Sequence, residues 1–177
     1  MGIRRVVTGH SADGKATVVG DDHVEPIVLD LLPGYAFHRL WGADEAPTFP
    51  DDGGARSAHD YFPPVGGFRF GLFTVPPETT VMSDDIDVSA AMRELDQSLP
   101  GMAVHMEPEN PGMHTTDTID FEYVLSGAID LELDDGETVH LVAGDTVVQN
   151  GTRHAWRNHG SEPCEMVVVL IGAHRRG

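Results

Sequence analysis

The chain has 177 residues, 40% of them hydrophobic and 23% charged, and a formal net charge of −18. Such an excess of acid disfavours nucleic acid phosphates and anionic membrane surfaces, so neither is expected as a partner. A lone cysteine, Cys164, excludes an internal disulfide and fits a reducing, cytoplasmic setting, and the longest apolar run, "MVVVLIGA", is far short of the ~20 residues of a membrane helix.

Residues 1–40 hold short β-branched runs, "RRVVT", "ATVV" and "PIVLDLL", separated by Gly, Asp and Pro. These predict short strands joined by turns. The stretch from His38 to Gly67 is rich in Pro, Gly and Asp and reads as a long surface loop. "FRFGLFTVPP" follows, where Phe68, Phe70 and Leu72 alternate before two prolines; they predict the inward side of a strand.

One helix is expected within residues 83–99. Ser83, Asp84 and Asp85 offer caps, and Val88, Ala91, Met92, Leu95 and Leu99 have helical spacing. Pro100 and Gly101 end it.

Beyond residue 102 the pattern is regular. Ile129, Leu131 and Leu133 alternate with acids, a "DDG" turn follows, and Val139, Leu141 and Val147 continue the alternation before "EMVVVLI" closes the chain. Short, evenly spaced strands of this kind predict an antiparallel sandwich or barrel. His140, between Val139 and Leu141, is expected at the surface, and His159 in a turn.

The stretch "HTTDTIDF" through Gly127, followed by "GDTVVQNGTRHAWRN", resembles the two motifs of the cupins. His114 takes the first histidine place of the first motif, Thr116 stands where a second histidine is usual, Asp120 falls in the glutamate place and Gly127 in the glycine place. Gly151, His154 and Asn158 match the second motif, with Gln149 near the place usually held by proline. The resemblance covers about residues 102–172 and is similar to that of single-barrel bacterial cupins with a degenerate first motif.

It implies an all-β jelly-roll, the cupin double-stranded β-helix barrel, with an N-terminal strand extension and one short helix. Residues 1–101 would pack on a barrel core of residues 102–177 as one structural domain. The loop up to Gly67 would cover one barrel mouth or a neighbouring subunit, and a homodimer is expected.

On a strand, alternate side chains share a face, so His114, Thr116, Thr118, Asp120 and Glu122 would point into the barrel together. A polar inward face needs a ligand, a metal or water. His154 and Trp156 would join from the partner strand. Two imidazoles and a carboxylate (His114, His154 and Asp120) make a set able to hold Fe, Zn, Ni or Mn. Asp120 and Glu122 are candidate proton carriers, Glu122 otherwise pairing with Arg153 or Arg157. Thr116, Thr118, Gln149 and Trp156 are candidate pocket residues, and the two threonines and Gln149 would steady the ligands. Two readings stay open. One is a metal-dependent enzyme acting on a small organic molecule, of oxygenase, lyase, isomerase or cyclase type. The other is a metal-free barrel that binds a small ligand or serves structure alone.

Overall fold

The computed structural model describes residues 1–176. A hairpin of β1 (Ile3–His10) and β2 (Ala16–Val24) opens the chain, followed by β3 (Ile27–Leu29), β4 (Leu32–Ala43) and β5 (Phe68–Val75). Helix α1 (Val88–Ser98) separates these from β6 (Thr118–Ser126), β7 (Ala128–Glu132), β8 (Thr138–Val142), β9 (Thr146–Gln149), β10 (Ala155–Arg157) and β11 (Cys164–Gly172). A six-stranded sheet in the order β3-β4-β5-β11-β6-β9 and a three-stranded sheet in the order β10-β7-β8 form the two walls of the barrel. Every pairing between named strands is antiparallel. The fold is the all-β jelly-roll with an N-terminal extension and one short helix.

The core lies between the walls. Phe73, Val124, Met166 and Val168 of the large sheet meet Ile129, Leu131 and Leu141 of the small one, and Leu95, Leu99 and Met102 close one end. Each such side chain removed from water contributes roughly 1.5–3 kcal/mol. At the β6–β7 turn Gly127 has φ +78°, and a Cβ there would meet the Pro163 carbonyl oxygen at 2.6 Å. Only glycine fits both the backbone and the space.

Three expectations are corrected. The segment from His38 to Ala43 is strand, not loop: it continues β4 in register with β5. Phe68, Phe70 and Leu72 share the side of β5 opposite the row Arg69, Gly71, Phe73 and Val75, which pair across to Leu170, Val168, Met166 and Cys164; Phe70 is exposed there, whereas Leu72 is buried. Arg69 can point inward because its guanidinium bonds Asp44 at 2.6 Å and the carbonyls of Ala43, Asp60 and Phe68 at 2.9 Å. The helix is capped by Asp87, whose side chain accepts from the Ala90 amide, and Val88 and Met92 remain exposed.

The rest of the long loop is largely exposed over residues 45–60 and is anchored at its far end. Its amide at Tyr61 bonds the Pro100 carbonyl at 2.8 Å, and Tyr61 and Phe62 pack against the core. The hairpin is tied to the barrel by Arg5, which bonds the Leu40 carbonyl and lies 5.5 Å from the centre of the Trp41 ring. No helix among the described residues is long and apolar enough to cross a membrane.

Candidate functional site

The inward row of β6 is polar for three positions. Thr118, Asp120 and Glu122 are buried before Val124 returns the row to the apolar core. Cross-strand register fixes their neighbours. Asp120 pairs with Leu170 on one side and Gln149 on the other, and Glu122 pairs with Val168 and Val147. Asp120 Oδ1, Glu122 Oε2 and Gln149 Nε2 have no hydrogen-bond partner among the described residues. Three unsatisfied polar groups in one buried patch are costly to folding unless something binds there.

Burial sets their protonation. Asp120 is pushed up to about 6, with Thr118 pulling the other way. Glu122 is held well above the usual carboxylate range by burial first and by the Asp120 charge second. Its expected pairing with Arg153 or Arg157 does not form: Arg153 bonds Glu107 and Asp134, and Arg157 bonds Glu132. Thr116 and Thr118 bond each other through their hydroxyls at 2.8 Å.

His114 and His154 form the second part. They exchange both backbone hydrogen bonds, and their rings stand 4.2 Å apart centre to centre. His114 Nδ1 bonds the Gly112 carbonyl at 3.0 Å and His154 Nδ1 bonds the Thr152 carbonyl at 2.9 Å. A carbonyl only accepts, so each Nδ1 carries the proton and each Nε2 keeps its lone pair. Burial, and then the neighbouring His114, lower His154 to about 4, and burial lowers His114 also. Both rings are therefore neutral near pH 7, the form that ligates metals.

Trp156 meets His154 edge to face at 5.8 Å, and Phe62 lies 6.3 Å from His114 and 4.9 Å from His105. His105 itself bonds the Thr115 carbonyl. His140 is exposed on Asp130, and His159 pairs with Glu78.

The structure thus brings the two imidazoles together and gathers Asp120, Glu122 and Gln149 into a buried patch of β6 and β9. Among the described residues, no three or more His, Cys, Asp or Glu side chains are arranged to hold a metal ion. The two free imidazole nitrogens are donors of a kind that suits a divalent ion. Tyr61, Phe62, Gly112 and Thr152 were not legible as site residues. The last two act through main-chain carbonyls, which residue type does not reveal.

Residues 102–170 match the cupin domain family model. The chain is 43% identical over 111 residues to phomopsin biosynthesis cluster protein C' of Diaporthe leptostromiformis, a match spanning 59% of each. The chain therefore spans well under two thirds of that relative's length. It is 26% identical to the cupin-domain-containing oxidoreductase virC of Hypocrea virens, over 96% of this chain and 77% of the relative. Among solved structures, the Schizosaccharomyces pombe Cnp3 cupin domain aligns over 96% of this chain and 87% of that one, with 12% identity and a TM-score of 0.49. The two motifs and the family match lead to one assignment: residues 102–170 form a cupin domain.

Proposed function

We propose that this cupin is an enzyme acting on a small organic molecule held in the barrel interior. Asp120 and Glu122 handle protons, and His114 and His154 are the protein ligands of a divalent ion. The observation that carries the reading is the buried patch of Asp120, Glu122 and Gln149 with open polar atoms, in a barrel that also holds two imidazoles with free Nε2 lone pairs. The oxidoreductase name of a relative that aligns over nearly the whole chain supports an enzymatic role, and biosynthesis-cluster relatives support a small organic substrate.

The chain's own residues define what the site does. Asp120, raised to about 6, exchanges a proton with substrate near neutral pH, the range in which a general acid or base is most effective. Glu122 is held protonated and donates a hydrogen bond. Gln149 offers an amide N–H to a substrate acceptor, and Trp156 walls the imidazole side. A divalent ion bound by His114 and His154 would supply Lewis-acid polarisation of a substrate oxygen. We further propose that two copies assemble through the outer face of the six-stranded sheet.

Thermal shift with Fe(II), Zn(II), Ni(II) and Mn(II) tests the ion. Wild type and Asp120→Asn should both be stabilised by at least one of them, and His154→Ala by none. Loss of the shift in Asp120→Asn would restore the three-ligand set. No shift in wild type would leave the metal-free ligand-binding barrel.

A further inference from the structure

We propose that a second opening into the barrel, at the free edge of β4, binds the carboxylate of a small organic acid. This deepens the reading above, resting on it for the reacting end of the molecule.

Beyond Phe37 β4 has β5 on one side and no strand on the other. A cavity of about 220 Å³ lies there, lined by Arg5, Arg39, Arg56, Arg69 and Tyr61 with apolar side chains such as Leu170, and by no Asp or Glu. The chain has 29 acids against 11 lysines and arginines, so four arginines around one cavity without an acid in its wall is unusual, and the positive charge that ion pairs leave uncompensated there is that of Arg39. Low-dielectric walls strengthen its attraction for an anion.

Three of the four have carboxylate partners outside that wall: Arg5 with Asp22, Arg56 with Asp51, and Arg69 with Asp44. Arg39 has none. Its Nη2 donates to the carbonyls of Ala58, His59 and Asp60, while Nε and Nη1 donate to nothing among the described residues. The other arginines without a carboxylate, Arg93 and Arg176, are exposed. The half-buried Arg39 is thus held in place by neutral acceptors, with donors left for an anion. An arginine so fixed loses little freedom on binding one.

The register connects this cavity to the proton-handling patch. Arg39, Gly71, Val168 and Glu122 form one cross-strand row of the inner face. Arg69, Leu170 and Asp120 form the next. Gly71 leaves the row without a side chain beside Arg39, and a Cβ there would meet the His38 carbonyl oxygen at 2.8 Å. Tyr61 lies in the fields of Arg39, Glu122 and Asp120 together. A molecule anchored by its carboxylate at Arg39 lies against Val168 and Leu170, whose neighbours on the next strand are Glu122 and Asp120.

Titration calorimetry with benzoate, benzamide and inorganic phosphate tests the site. Wild type should bind benzoate and ignore benzamide, which has the same body without the charge. Arg39→Gln should weaken benzoate by about tenfold to a hundredfold, the range for losing a charge-assisted hydrogen bond. Arg39→Lys, which keeps the charge, should lie between, and its melting transition guards against loop disruption. Equal binding of benzoate and benzamide, unchanged binding in Arg39→Gln, or binding of phosphate alone would overturn the proposal. The divalent-ion shift, measured on the same variants, is expected to be unchanged, so failure here and failure of the imidazole reading are told apart.

Discussion

His114 and His154 are locked opposite each other by two reciprocal backbone hydrogen bonds, His114 N–H to the His154 carbonyl at 2.9 Å and His154 N–H to the His114 carbonyl at 3.0 Å. The two motifs are thereby clamped together at the main chain, independent of what the rings bind. Each ring is then turned by a carbonyl two residues earlier in its own chain segment. A site held this way is pre-oriented before any ligand arrives.

The first prediction concerns pH and stability in metal-stripped protein. Asp120 rises from the ordinary 3.8 to about 6 on folding, so its contribution is full below about 4 and is lost as pH rises through 6. His154 falls from 6.5 to about 4, so its contribution is present above 6.5 and is lost as pH falls through 4. The two slopes oppose each other between pH 4 and 6. Asp120→Asn removes the falling slope, so its stability relative to wild type should increase by ~3 kcal/mol from pH 4 to pH 7. Denaturant melts at both pH values measure it. A constant difference between the two proteins would place the Asp120 carboxyl in an ordinary, solvated state.

Assembly is the second prediction. Trp41, Phe70, Val169, Phe121 and Val148 form one row across the outer face of the six-stranded sheet. Phe70, Phe121 and Val148 are 40%, 45% and 54% exposed, and the row contains no ionisable group. In a chain of charge −18, such a face is where two copies meet with least repulsion. Light scattering should give a dimer for wild type at micromolar concentration and a monomer for Phe121→Asp with an unchanged circular dichroism spectrum. A wild-type monomer would contradict the assembly.

The long loop yields a third. Residues 45–56 are largely exposed, whereas Tyr61 and Phe62 are packed on the core. Limited trypsin digestion should cut first at Arg56, whose side chain is half exposed, and leave the remaining barrel intact by mass spectrometry. First cuts within residues 120–172 would mean that the barrel opens before the loop does.

Much of the C-terminal half was legible because its strands alternate cleanly. Ile129, Leu131 and Leu141 face the core as their period requires, and the polar inner row of β6 followed from the same period. The N-terminal half was harder to read for a physical reason. In β5 the buried set contains Arg69, so the aromatic set Phe68 and Phe70 looked like the inner one. A charge satisfied by Asp44 and three carbonyls overrode the usual preference. In β4 Gly42 and the polar His38 and Arg39 masked a strand. Arg39 and Tyr61 join the interior only through long-range pairing, which local spacing does not carry. The metal trio was read from spacing along the motifs, and the fold unites only its two histidines.

The paired imidazoles are tested most directly by ¹⁵N NMR of the histidine side chains during titration with Zn(II) at pH 7. Before the ion is added, His114 and His154 should both show the neutral form protonated at Nδ1. On addition, both Nε2 signals should shift together and saturate at one ion per chain, while the signals of the exposed His140 stay in place. Shifts at only one of the two rings, or protonated Nε2 on either ring in the free protein, would contradict a divalent-ion site formed by His114 and His154.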